Sequence, residues 1–429
     1  MLLAKIQSCL PVNANKMFPL HKIGLLVGST AVVQVINFCI TPFLTRMFTP
    51  EQFGTLAIYV SSLGIIGTVI GLRYEVGIPV PEHDEDGILL TVFSLFVVGI
   101  FFLCLLLISL SLYSTQALSP RFDTILLLIP LGSLFLGVLQ VLNYFAIRKK
   151  SYDFIATAKF KQGIGATTLQ LVFGLLSLKS IGLVLGHMFG QLFGLLGFLK
   201  ILAQDLHLFR QSLTVAKLLS IGRKYRAYPI YSATASLFNS SGVYLPSLLL
   251  VYFFGVEVGG YFALTQKVLS LPLVTLGTAL GQVYLGESSK LEHAGKDRQT
   301  VLFMYLTKLL LILMVPIAIV LSFSNSLFAQ FFGETWRTSG SYALILLPAM
   351  LLQLLTNPLS QIIFVKKKQK TQLVLDIFRA VLVSFSIYIP YKLHLSVNEA
   401  LISYSCVMSI IYAVSYICYL NVSRSESAS

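Results

Sequence analysis

Six basic residues stand inside long apolar runs of this 429-residue chain: Arg73, Lys159, Lys161, Lys267, Lys308 and Arg379. A cation at the bilayer centre costs about 2.5–3.5 kcal/mol on insertion scales, against a typical net folding stability of about 5–15 kcal/mol. They cannot all face lipid. Arg73 ends an apolar run and Lys308 lies about two turns into its own, so both can reach an interface by snorkelling. Arg379 follows Asp376 by three residues, a spacing that allows an ion pair on one helix face. Lys159 and Lys161 are two apart and point in different directions, so only one of them is expected to face a given cavity. Lys267 has no acidic neighbour within a turn and precedes Pro272, and a water-filled position is expected for it.

Such cations neutralise an anionic group, because a buried diphosphate without compensating charge is costly. The expected cationic cavity comprises Lys267, Arg73, Lys161, Lys159 and Arg379, with Glu75 and Asp376 as candidates for coupling to protons or sodium. Amides along the runs (Gln34, Asn37, Asn143, Gln170, Asn239, Gln282, Asn357) and the 20 tyrosines are suited to hydrogen bonding and stacking with sugar rings, or to helix packing. The sequence holds no H-E-x-x-H, G-x-S-x-G, Walker A or G-x-G-x-x-G pattern, and His83, His187, His207 and His293 are scattered. Neither an enzyme nor a cofactor is expected, and energy would come from an ion gradient, the membrane potential or substrate consumption.

The elements that position these residues follow from composition. Hydrophobic residues make up 56% of the chain, charged residues 11%, and the mean hydropathy is +0.83, the profile of a chain solvated by lipid. Lipid offers backbone groups no hydrogen-bond partners, so spans must be helices or a closed barrel. Barrel strands would alternate in polarity, whereas Val92 to Leu112 is apolar on every side. About 20 apolar residues cross the hydrocarbon layer, and twelve runs qualify, beginning near Ile23, Phe53, Gly87, Thr124, Phe154, Ile181, Pro229, Gly260, Val301, Ser341, Thr371 and Val397. Cys39, Cys104, Cys406 and Cys418 fall inside such runs and behave as small hydrophobes rather than as disulfide or zinc partners.

Twelve crossings place both termini on one side. With that side cytosolic, only Arg46, Arg121, Lys179, Arg337 and Lys392 of the 31 Lys and Arg residues fall in external loops, the positive-inside asymmetry. The net charge of +14 concentrates in membrane-flanking clusters at Arg148–Lys150, Arg223–Arg226 and Lys366–Lys368, which suits orientation and anionic lipid rather than nucleic acid. The expected organisation is a cytosolic tail (1–22, not a cleaved leader), a six-helix lobe (23–201), a basic cytosolic linker (202–228), a second six-helix lobe (229–421) and a cytosolic tail (422–429). Shifting the chain by 206 residues sets Leu44–Ala57 against Leu250–Ala263 with matching Leu, Phe, Glu, Gly and Ala, and Gly71 against Gly277. Both copies start on one side, so the halves would be parallel repeats about an axis along the membrane normal. Glycines at every fourth position (Gly182, Gly186, Gly190, Gly194) suit close helix packing or a seam on which lobes slide. Pro130, Pro246, Pro272, Pro316 and Pro348 are expected to kink their helices.

Thr41–Pro81, Ile147–Gln162, Arg223–Gly255, Val258–Tyr284 and Phe331–Pro348 resemble, in order, segments of bacterial polysaccharide-export flippases. The likeness is to the O-antigen translocase group of the multidrug/oligosaccharidyl-lipid/polysaccharide superfamily. It implies an all-α membrane protein whose two six-helix lobes form a V around a central cavity in the bacterial inner membrane. Alternating access would move an undecaprenyl-diphosphate-linked oligosaccharide to the external leaflet, with polysaccharide polymerase machinery as a further partner. Arg46, Arg73, Glu75, Lys161, Lys267 and Trp336-Arg337 fall within the resembling stretches. A multidrug antiporter on the same fold would need acidic residues in its cavity, and a membrane polymerase or ligase a large external loop.

Overall fold

The computed structural model describes residues 20–115, 120–204, 214–291, 296–366 and 368–424. Residues 1–19 of the expected N-terminal tail, 205–213 of the linker and 425–429 of the C-terminal tail lie outside the described residues, as does Lys367.

The first lobe contains α1 (Leu20–Met47), α2 (Pro50–Gly67), α3 (Asp84–Ser114), α4 (Pro120–Arg148), α5 (Tyr152–Leu175) and α6 (Lys179–Gln204). A short amphipathic helix, α7 (Val215–Lys224), leads through a π turn (Tyr228–Ala233) into α8 (Thr234–Phe254). The second lobe continues with α9 (Val256–Pro272), a π turn (Leu273–Gly277), α10 (Thr278–Leu291), α11 (Lys296–Ser322), α12 (Ser324–Phe332), α13 (Arg337–Leu359), α14 (Ile362–Val365), α15 (Gln369–Lys392) and α16 (Val397–Arg424). No strand occurs among the described residues. Taking α8 with its π turn, and α9 with α10, as single crossings gives twelve. Most start a few residues before the apolar run, because the helix continues into the interface.

Nine helices among the described residues are long and apolar enough to cross a membrane unaided. The other three of the twelve are α1, whose apolar stretch is the shorter Val32–Met47 and which packs on α5; α5, with Asp153, Lys159 and Lys161, which lies against α1 and α6; and α2, which lies against α8 and α9 of the other lobe. The glycine stripe of α6 explains the contact of α5 with α6. Gly186 faces Gln170 and Gly190 faces Ala166 so closely that a Cβ would collide with the α5 backbone. That stripe is a packing seam inside one lobe, so the sliding-seam alternative fails. The kink expected at Pro272 takes a specific form: the following residues, Leu273–Gly277, widen into a π turn, a way of absorbing the hydrogen bond that proline cannot donate.

The lobes meet chiefly at the end distant from the termini. One apolar cluster straddles them there, with Leu44, Phe48 and Phe53 from the first lobe and Phe262, Trp336 and Leu346 from the second, whereas two further clusters stay within the first lobe and one within the second. Trp336 is fully buried and donates its indole N–H to the Thr45 carbonyl at 2.9 Å. The backbones approach most closely where Gly54 meets Val256 and Gly260 meets Pro50. These contacts are reciprocal under the 206-residue shift, since Gly54 corresponds to Gly260 and Pro50 to Val256. Reciprocity is the mark of a two-fold relation, and glycine is required because lipid supplies little drive to associate and van der Waals contact must be close.

From this seal α2 stays against α8 toward the termini, where the Thr68 and Ser240 hydroxyls lie 3.1 Å apart. On the α1 side, α12 supplies the contact, with Phe38 edge-on to Phe332.

The turn between α2 and α3 is clamped by Arg148, at the end of α4. Its guanidinium donates to the carbonyls of Ile78 (3.1 Å), Pro81 (2.7 Å) and His83 (2.9 Å) and pairs with Asp84 at 2.9 Å. Asp84 is exposed, so the pair itself contributes at most about 1 kcal/mol; the three carbonyls dominate. Arg148→Ala should destabilise the folded protein by roughly 3 kcal/mol, read as a lowered unfolding midpoint in detergent. Arg148→Lys should recover only part of the loss, since a point ammonium cannot span the fork; full recovery would show that charge alone sufficed.

Candidate functional site

Lys267 lies about three turns into α9, half-buried and without an ion pair among the described residues. The element is anchored beside it: the Thr265 hydroxyl donates toward the carbonyls of Tyr261 (2.9 Å) and Ser339 (2.8 Å), tying α9 to α13. On α6 of the first lobe His187 is half-buried, with its ring edge-on to Tyr59 of α2 at 6.0 Å. Tyr59 is fully buried, with its hydroxyl turned to Gly132 of α4 inside the first lobe. His187 was not singled out in sequence as a site residue; its place beside Gly186 was the available signal, because the glycine stripe holds α6 tightly on α5.

Arg73 and Glu75 occupy the turn after α2, outside the spanning helices. Leu72 and Arg73 both have positive φ (48° and 62°), a conformation costly for residues with a Cβ. The turn brings Arg73 to 3.9 Å from Glu75, which is only 2% exposed. Burial pushes the Glu75 carboxyl up, opposed by a backbone hydrogen bond and by Arg73. One carboxylate oxygen has no hydrogen-bond partner and points into the space beside Gly71.

Asp376 and Arg379 form the ion pair their spacing allows, at 3.0 Å. They are joined by a residue that spacing could not reveal: Asn239 of α8 donates to Asp376 at 3.0 Å and accepts from Arg379 at 3.2 Å. Gln372 donates to the other Asp376 oxygen at 3.2 Å and accepts from the Tyr419 hydroxyl at 2.9 Å. This network borders a cavity of about 250 Å³ within the second lobe.

Lys159 and Lys161 are both exposed. Lys159 continues the row of Gly163 and Thr167 that meets α1 at Val33 and Asn37, whereas Lys161 is turned about 200° away on the helix. Lys308 is exposed on α11. The seven candidates thus form two locally neutralised pairs, Arg73–Glu75 and Asp376–Arg379, and three separate cations, of which Lys267 is half-buried and Lys159 and Lys161 are exposed. Among the described residues no three His, Cys, Asp or Glu side chains are grouped to hold a metal ion.

A family model described as "Polysaccharide biosynthesis protein" matches residues 43–341. No curated protein matches the chain. Among solved structures, the lipid II flippase MurJ in an inward closed conformation is similar with a TM-score of 0.66 at 12% identity, over 92% of this chain and 89% of that one. An inward-facing multidrug resistance MATE family transporter of the MOP superfamily gives 0.60 at 14% identity, over 94% and 96%. A MOP superfamily transporter from Pyrococcus furiosus, described by the reverse polarity of its binding pocket, gives 0.54 at 15% identity, over 94% and 96%. At these identities the likeness concerns the fold: two lobes forming a V-shaped bundle.

Proposed function

The chain belongs to the polysaccharide biosynthesis protein family, and from that premise we propose that it is a flippase for undecaprenyl-diphosphate-linked oligosaccharides, an O-antigen or related repeat unit. It works by alternating access in the bacterial inner membrane, with both termini cytosolic. In that orientation the Gly54/Gly260 seal faces outward, away from the cytosol, where the substrate is made. The external products would pass to polysaccharide polymerase machinery. The observation that carries this reading is Lys267, a half-buried cation in a spanning helix that holds no acid among the described residues. In a low-dielectric site it meets a diphosphate with a charge-assisted hydrogen bond, and it repels an organic cation. The MurJ likeness fits a lipid-linked substrate. Arg73, Arg379 and Lys159 would help draw the headgroup in from the cytosolic side, with Lys161 at the surface.

Coupling would fall to Asp376 or Glu75. Each is held by an arginine, so proton or sodium binding would have to release that arginine and change the local packing. The test is leaflet exchange of a fluorescent undecaprenyl-diphosphate oligosaccharide in proteoliposomes under imposed proton or sodium gradients. Exchange driven by one gradient, and lost as a gradient response in Asp376→Asn, is expected. A probe that stays static while the protein moves ethidium would replace the flippase reading with multidrug antiport.

A further inference from the structure

Three cavities of the second lobe adjoin one another along a trench. A small one beside Gln266, the residue next to Lys267, shares Gln353 and Tyr412 with the 250 Å³ cavity of the Asp376 network. That cavity shares Asn357 and Ser360 with a third of about 380 Å³, lined also by Gly277, Gln282 and Gln361. The cavity beside Gln266 is about 30 Å³, room for about one water, whereas the other two, at about 250 and 380 Å³, approach the scale of ligand sites, about 300–1,000 Å³.

The lining has a consistent chemistry. The side chains of Gln266, Gln353, Asn357, Gln361 and Gln282 make no hydrogen bond among the described residues, and the only charges on the trench, Asp376 and Arg379, neutralise each other at 3.0 Å. A primary amide offers two donors and two acceptor lone pairs on one plane, the complement of a sugar hydroxyl, which both donates and accepts. Amides turned to lipid would cost free energy with no return; five on one path imply a polar occupant without net charge.

The two halves differ at this place. Gly71 and Gly277 correspond under the repeat, yet beside Gly71 the space is filled by the Glu75 carboxylate, whereas a Cβ on buried Gly277 would meet nothing within 4 Å. The second lobe keeps open what the first lobe plugs.

We infer that this trench, running from Gln266 to Gln361, is the subsite for the glycan of the substrate, so that the second lobe reads the sugar while Lys267 holds the diphosphate. This rests on the flippase reading above and assigns it a division of labour.

Gly277→Leu fills the trench where no atom stands in its way, and Asn357→Leu removes an amide at similar volume. Binding in nanodiscs is measured for two probes, undecaprenyl diphosphate alone and undecaprenyl diphosphate bearing a tetrasaccharide. Both variants should lose about tenfold in affinity for the tetrasaccharide probe with the bare probe unchanged, while Lys267→Gln weakens both. Equal weakening of the two probes by the trench variants, or no weakening of either, would overturn the glycan subsite. Failure of the wild-type protein to bind either probe would instead overturn the flippase reading, and the subsite with it.

Discussion

Lys267→Gln is expected to slow leaflet exchange of the diphosphate-linked probe by roughly ten- to a hundredfold, while the folded protein becomes no less stable. The first half follows from losing a charged hydrogen-bond partner, worth about 1.5–3 kcal/mol, each 1.4 kcal/mol being a factor of ten. The second follows from what Lys267 does not do: it holds no acid among the described residues, so its removal leaves no charge stranded. An unpaired cation at depth costs up to about 2.5–3.5 kcal/mol, so the unfolding midpoint should hold or rise as exchange falls. Such opposed movement separates a substrate-binding residue from a structural one. Lys267→Arg should keep most of the exchange. Wild-type rates in Lys267→Gln would remove this residue from the site.

Gly54→Leu should shift the protein away from the conformation described here. A side chain at Gly54 runs into the Val256 carbonyl, and backbone cannot retreat as a rotamer can. Overpacking of this kind costs about 1–3 kcal/mol, a shift of about ten- to a hundredfold against the sealed state. Spin labels at Thr49 and Glu257, both exposed and on opposite sides of the seal, would report it as a longer distance distribution in a background without native cysteines. Because the contact is reciprocal, Gly260→Leu should give the same shift. A response to one glycine and not the other would deny the two-fold relation.

The spans were legible in sequence because hydropathy is a property of one segment at a time, and the 206-residue repeat was legible because it included a glycine in each copy. The Asp376–Arg379 pair was readable for the same reason, as both residues lie on one helix three positions apart. Asn239, which holds both members of that pair from 137 and 140 residues away, was not. Nor was the edge-on contact of His187 with Tyr59, since helix period says which face a residue occupies but not which helix that face meets. Lys159 and Lys161 were separated by helix direction alone. What their spacing could not tell is that α5 gives its glycine-contacting face to α6, leaving Lys159 on the α1 side. Composition summed over six intramembrane cations suggested one pool of positive charge; the folded chain instead pairs two of them internally.

The start of α3 bears on how the halves travel. Asp84, Glu85 and Asp86 each hold a different base: Arg148 at 2.9 Å, Lys217 at 2.7 Å and Lys224 at 2.6 Å. Two of those bases belong to α7, so the connector is moored to the earlier half although it leads into the later one. The moorings are exposed and salt will loosen them, but Tyr74 adds a neutral line to the Gly222 carbonyl at 3.1 Å. The counterpart of this acidic triplet, 206 residues on, reads Lys290-Leu291-Glu292. Carriage of the connector is therefore a trait of one half alone, acquired or kept after the two diverged, and any rocking between them is borne by the few residues from Tyr225 to Ala233.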